Sequence, residues 1–214
     1  MPTLLRIDSS VSPESSVSRR LTGAFADAWE QAGGTVVVRD LDAVKLPHLP
    51  YRGLHFPDRP GVPEDAPERA LQDELIQEIT DADAVVIGAP LYNYSMPSTL
   101  KAWLDYLHVP GRTSPGPSGH PVPLAGTPVV VISTRGADYD DPIHETEADH
   151  VVPALRLLLG TGMGMEMEAI TLDRTLADLL PELDPALAER LFEEARDRAV
   201  LRGRELASEL GGGS

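Results

Sequence analysis

Ala84-Val85-Val86-Ile87-Gly88-Ala89-Pro90-Leu91-Tyr92-Asn93-Tyr94-Ser95-Met96-Pro97 is the stretch that decides the fold. Its first five residues, Ala84 to Gly88, form a short apolar run with little polar alternation. That pattern fits a strand buried on both faces, as in a parallel sheet covered by helices. Pro90 then fixes the chain just after the strand. From Pro97 to His108 the pattern is helical, with Trp103 on the apolar side.

Toward the N-terminus the same alternation repeats. Thr3 to Ile7 reads as a first strand ending at Asp8-Ser9-Ser10. Ser15 to Ser18 supplies helix-cap chemistry. Leu21, Phe25, Ala28 and Trp29 follow at spacings of three and four, an amphipathic helix closed by Gly33-Gly34. Thr35 to Val38 is the second strand. Leu41 to Pro67 is rich in proline and charge without a clean period, an unusually long loop that suits the rim of a binding face. Glu68 to Thr80 is helical.

Toward the C-terminus, Pro110 to Pro123 reads as loop and Pro128 to Ser133 as a fourth strand. Glu145 to Leu159 is helical by pattern. Thr161 to Ile170 contains a fifth strand, and Pro185 to Leu206 a long charged helix. Strands alternating with helices predict an α/β chain, a five-stranded parallel sheet of order 2-1-3-4-5 with helices on both faces. A single domain is expected over residues 1–210, with 211–214 a disordered tail. Ligands of such sheets sit beyond the C-terminal strand ends, where strand order reverses.

Composition narrows the classes. The 214 residues carry 34 acidic and 18 basic side chains, a formal net charge of -16. That field opposes binding to nucleic acid and anionic membranes. It does not oppose an anionic cofactor held by backbone N–H groups and hydroxyls at a helix N-terminus. Cysteine is absent, so disulfides, thiolate metal sites and cysteine nucleophiles are excluded. No run has the roughly 20 apolar residues of a membrane span, and Met1 to Ser10 lacks the pattern of a secretory signal. A cytoplasmic protein is expected.

Three strand-end loops hold the candidate chemistry. Asp8 to Arg20 is dense in serine and leads into a helix N-terminus, a setting for phosphate. Gly88 to Trp103 places Tyr92, Asn93 and Tyr94 at the mouth, aromatic and amide groups that suit a flat heterocycle. Ile132 to Asp141 offers small residues and Gly136, where backbone amides could approach a ring edge. Arg135 could instead be held by the carboxylates of its own loop. No GxGxxG, P-loop, G-x-S-x-G or H-E-x-x-H motif is present. Asp138, Asp140 and Asp141 do not follow the calcium-loop pattern, and no metal is expected.

Together these loops resemble the FMN-dependent NADH-azoreductase / NAD(P)H:quinone reductase family, whose fold is flavodoxin-like. Asp8-Ser9-Ser10 with Ser16-Val17-Ser18 resembles its phosphate loop, and Pro90-Leu91-Tyr92-Asn93-Tyr94 its most characteristic block. Ser133-Thr134-Arg135-Gly136 resembles its third flavin loop. The resemblance implies a flavodoxin-like three-layer sandwich and FMN bound by these residues. Ser10, Ser16 and Ser18 then lie on the phosphate side, Leu91 to Tyr94 along the ring and ribityl chain, and Thr134 to Gly136 at the ring edge. It implies NADH or NADPH as reductant, ping-pong two-electron reduction of quinones or azo compounds, and a homodimer whose partner completes each site. The chain departs from the family at Ala137, where a second glycine is common, and at Ser114, where an aromatic is expected.

No acid, base or nucleophile is singled out. Lys101 reads as a helix-surface residue. His144 and His150 are weak candidates for proton delivery. The rival readings are a flavodoxin-like electron carrier, which the acidic surface suits, and an α/β hydrolase-type esterase, which lacks its nucleophile motif.

Overall fold

The computed structural model describes residues 1–12, 14–116, 122–139, 148–180 and 182–212. The strands are β1 (Thr3–Asp8), β2 (Thr35–Asp40), β3 (Ala84–Pro90), β4 (Pro128–Thr134) and β5 (Glu166–Leu172). They form one parallel sheet in the order β2-β1-β3-β4-β5, as expected. Every residue of β3 is buried, because the strand has a neighbour on each side and helices above and below.

Side-chain alternation along the strands divides the core in two. Val85, Ile87 and Ala89 join Val129 and Val131 beneath one helical layer. That layer comprises α2 (Pro67–Asp81), α3 (Ser98–Leu107) and the short α4 (Val152–Leu155). Ala84, Val86, Val130 and Ile132 face the opposite layer, made of α1 (Val17–Gln31) and α5 (Pro185–Gly211). The two outer helices meet closely at Gly203, where a Cβ would lie 2.5 Å from the Phe25 carbonyl oxygen.

The helical period read in α1 is observed: Leu21, Phe25, Ala28 and Trp29 are all buried. Gly33 turns the chain with φ +94°, and a Cβ on Gly34 would overlap the Trp29 indole. That indole donates to the Pro2 carbonyl at 3.3 Å.

Three expectations need adjustment. Residues 41–66 are not structureless: they contain a 3-10 turn, Arg52–His55, and bury Leu41, Leu54, Val62 and Ala66 in the core. Gln72 of α2 organises this segment, donating to the carbonyls of Leu54 (2.8 Å) and Tyr106 (3.0 Å) and accepting from Arg59 Nε (3.0 Å). The helix read from Glu145 to Leu159 lies partly outside the described residues; within them it includes the helical turn Val152–Leu155, with Pro153 in its first turn, which passes into a π-helical stretch, Arg156–Gly162, that includes Thr161. Pro is compatible with a helix start because its missing N–H is unsatisfied there anyway. Positions 140–147, with His144, lie outside the described residues. α5 runs to Gly211 and ends at a Gly212 cap, so the last helix takes the first residue of the expected tail; Gly213 and Ser214 lie outside the described residues.

Candidate functional site

The three strand-end loops meet at the carboxyl edge of the sheet, around β1, β3 and β4. Ser16 is the N-cap of α1, and its Oγ accepts the Arg19 N–H at 3.2 Å. Val17 and Ser18 open the helix, where backbone N–H groups have no preceding helical carbonyl to bond. The Ser16 and Ser18 hydroxyls lie 3.0 Å apart. One of the two donates to the other, so one O–H proton remains for an incoming anion. Gly88 lets β3 approach this turn: a Cβ there would lie 3.5 Å from Ser18 Cβ and 3.2 Å from Thr22 Cγ2.

Ser10 ties the first loop to the second. Its Oγ is 3.0 Å from the Tyr92 hydroxyl, which also accepts the Val11 N–H at 3.3 Å. Ser9 Oγ donates to the Gly88 carbonyl at 2.6 Å, and Thr99 Oγ1 donates to the Ser9 carbonyl at 3.3 Å. Pro90 ends β3 opposite Thr134, and the Leu91 N–H continues the ladder to the Thr134 carbonyl at 2.8 Å. A proline in a central strand is tolerated at such an end, where its missing donor breaks no further bond.

Tyr92 to Ser95 then form a two-residue turn closed by reciprocal backbone bonds of 2.8 and 3.1 Å. Its central residues are left-handed, Asn93 with φ 50° and Tyr94 with φ 70°, the backbone of a tight β-hairpin turn. The Tyr94 ring projects into solvent, 63% exposed. Its carbonyl accepts the His150 N–H at 3.1 Å.

The third loop is held differently from a simple ring-edge approach. Arg135 is buried and paired with two buried carboxylates: its Nη1 lies 3.3 Å from Asp149, and its Nε donates to Asp173. This is the alternative in which carboxylates hold the arginine, and these two lie before α4 and after β5, outside its own loop. Asp149 also accepts the Val151 N–H at 2.8 Å, joining the loop to the start of α4. The guanidinium covers the Tyr139 ring at 4.9 Å. Burial, and next the neighbouring Tyr94, push the Tyr139 hydroxyl above its ordinary value. The absent side chain of Gly136 makes room for Leu176, whose Cδ1 would lie 2.7 Å from a Cβ there. Ser133 is buried, and its Oγ has no partner among the described residues.

Residues outside the expected set complete the first loop. Arg19, in the first turn of α1, donates to the Ser10 carbonyl at 2.8 Å and to both oxygens of Asp40 at 2.5 and 2.7 Å. This contact, led by the hydrogen bond from Arg19, lowers the Asp40 carboxyl to about 2. Asp8, beside Asp40 in the sheet, pairs with Arg6 at 2.8 Å and accepts from Thr22 at 2.7 Å. A cation is disfavoured at a helix N-terminus. Arg19 in that position of an acidic chain was therefore the available signal that a carboxylate partner waits nearby.

A groove of about 470 Å³ opens beside the second loop. His48 from the long segment after β2, Ser95, Met96, Lys101 and His150 line it. Lys101 is on the exposed side of α3 and pairs with Asp105 at 2.5 Å. Among the described residues no three His, Asp or Glu side chains could hold a metal ion, and no helix is long and apolar enough to cross a membrane.

A five-stranded 2-1-3-4-5 parallel sheet with hydroxyl-rich and aromatic loops at its switch point defines a flavodoxin-like protein, and residues 2–198 match the family described as having a flavodoxin-like fold. Within that class, an FMN-dependent NADH:quinone oxidoreductase of Kineococcus radiotolerans is 46% identical over 98% of this chain and 100% of its own. One from Streptomyces coelicolor is 39% identical over 98% of this chain and 97% of its own. The crystal structure of an azoreductase from Bacillus anthracis has a TM-score of 0.79 and 26% identity, covering 96% of this chain and 100% of that one. The chain belongs to the FMN-dependent NADH:quinone oxidoreductase/azoreductase family.

Proposed function

We propose that the chain is an FMN-dependent NAD(P)H oxidoreductase reducing quinones and azo compounds, with FMN lying across the three loops. Ser10, Ser16, Val17 and Ser18 receive the phosphate. Pro90 to Tyr94 flank the ring and ribityl chain, and Ser133 to Gly136 meet the ring edge. The observation carrying this reading is the convergence of unspent hydroxyl protons with the first turn of α1. The donor set is hydroxyl and backbone N–H without a lysine, and it matches the chemistry of a phosphate at a helix N-terminus. The buried Ser133 Oγ near the end of β4, without a partner among the described residues, gives a second polar contact point.

Bound FMN supplies the two-electron hydride chemistry. The residues of the chain bind, orient and shield it. The Tyr92–Ser10 contact keeps the phosphate loop and the ring loop at a set separation. The turn at Asn93 and Tyr94 presents one aromatic face at the mouth. The groove beside Ser95, Met96 and His150 is the approach for the nicotinamide and the acceptor. A second copy of the chain covers this side, where Tyr94 and Leu157 are exposed, and completes the pocket.

The test is an anaerobic absorbance titration of the purified protein with FMN, then with NADH or NADPH. Saturable binding and bleaching near ~450 nm are expected. Binding without bleaching by either nicotinamide would point to an electron carrier, and absence of binding would overturn the assignment. Light scattering is expected to give twice the chain mass; a monomer that turns over at full rate refutes the shared pocket.

A further inference from the structure

The floor beneath the phosphate loop is made of charges. Asp8 and Asp40 sit side by side at the ends of β1 and β2. Arg6 Nη2 reaches Asp8 at 2.8 Å and the Arg19 carbonyl at 3.1 Å. Arg19 Nη1 lies 2.5 Å from Asp40 and 3.9 Å from Asp8. Two carboxylates and two guanidiniums thus alternate under the first turn of α1, with no net charge. Three of the four side chains are at most one-fifth exposed, and Asp40 is 28% exposed. At such burial an unbalanced charge is felt more strongly than in water.

Arg19 carries this cluster to Ser10, through the 2.8 Å bond to its carbonyl. Ser10 is therefore gripped from two directions, its carbonyl by Arg19 and its Oγ by Tyr92. Without Arg19, Asp40 and part of the Asp8 charge would lie uncompensated beside the place where a dianionic phosphate must settle. The Ser10 carbonyl would also lose its donor.

We infer that Arg19 is a positioning residue for the FMN phosphate, acting through Ser10 and through neutralisation of Asp8 and Asp40 rather than by touching the phosphate. The inference rests on the phosphate location given above. It predicts a loss confined to the phosphate: FMN and riboflavin share every other group, so only FMN affinity senses the charge of the floor.

The experiment titrates apoprotein with FMN and, separately, with riboflavin, following quenching of flavin fluorescence. Arg19→Gln is expected to weaken FMN roughly tenfold, the scale of one uncompensated charge at a partly buried site, and riboflavin far less. Asp40→Asn leaves one positive charge in excess and is expected to tighten FMN while riboflavin stays constant. The double variant Arg19→Gln/Asp40→Asn is expected to recover much of the FMN affinity. Equal losses for both flavins, an unchanged FMN affinity in Arg19→Gln, or a double variant as weak as the single one would each overturn the inference. Ser10→Ala and Ser18→Ala separate the two levels. If the serine variants lose FMN selectively while Arg19→Gln does not, only the role of Arg19 fails. If none of them loses FMN selectively, the phosphate location fails and the inference with it.

Discussion

Replacing Arg135 with methionine tests what the third loop depends on. The guanidinium occupies a buried slot between Asp149 and Asp173, whose side chains are 4% and 7% exposed. Methionine keeps much of the stem and removes the charge that Asp149 and Asp173 both contact in a poorly hydrated space. Breaking a buried pair by deleting one partner costs about 3–5 kcal/mol, because the buried carboxylates lose their counter-charge. Asp149 also receives the Val151 and Val152 N–H groups, so the penalty extends to the start of α4. In a domain of this size that corresponds to a fall in Tm of roughly 6–20 °C. The assay is thermal and urea unfolding of apoprotein, since bound cofactor adds stability by mass action. Arg135→Lys should fall between the two, as a point charge cannot serve both carboxylates as a planar fork does. An Arg135→Met apoprotein that melts within about 2 °C of the parent refutes the reasoning. If FMN affinity nevertheless dropped in that protein, the Arg135 side chain, and not only its backbone, would meet the cofactor.

Three further expectations follow from other contacts. The Asp40 carboxyl is held at about 2, below its unfolded value of about 3.9. Its stabilising effect is present above the unfolded value and fades as pH falls through the folded one. At its partly exposed position (28%) screening reduces this to about 1 kcal/mol, so urea unfolding should separate Asp40→Asn from the parent at pH 7 and bring the two together near pH 2; a gap independent of pH would count against the pairing. Gln72→Leu deprives the Leu54 and Tyr106 carbonyls of a donor and Arg59 of an acceptor, for a cost of about 2–4 kcal/mol by chemical denaturation; a neutral result would show that the segment 41–66 holds itself. Gly203→Val forces α5 away from the Phe25 carbonyl and should cost about 1–3 kcal/mol, with no loss of stability meaning that the two helices slide freely.

The sheet was legible because its strands are apolar and its helices periodic. Val85 to Ile87 and Val129 to Ile132 have few alternatives to burial, and Leu21, Phe25 and Trp29 mark one face of α1. The strand ends were not legible in the same way. Asp8 and Asp40 look like loop residues in one dimension, while in three Arg6 and Arg19 pair with them at the ends of β1 and β2. The segment 41–66 lacks periodicity since its order comes from scattered core anchors and from side chains of α2, with Gln72 bonded to the Leu54 carbonyl and Arg69 to those of Val62 and Pro63. The same limit governs the site. Serines before a helix announce an anion-binding turn, whereas the grip of Arg19 on Ser10, the hydroxyl of Tyr92 and the two carboxylates on Arg135 are pairings between distant positions. Gly136 suggested close backbone approach, and the structure gives Leu176 as the neighbour that needs the space.

The turn at Asn93 and Tyr94 has a consequence for modularity. A left-handed tyrosine costs about 1–2 kcal/mol, and glycine is the residue ordinarily found there. An excised peptide of this sequence would not keep the shape. The conformation is sustained from both ends, by Leu91 bonded to Thr134 and by His150 bonded to Tyr94. The aromatic mouth therefore cannot be transplanted to another scaffold as a loop; it travels only with β3, β4 and the segment leading into α4. Homologous exchange between relatives would have to move these pieces as one block.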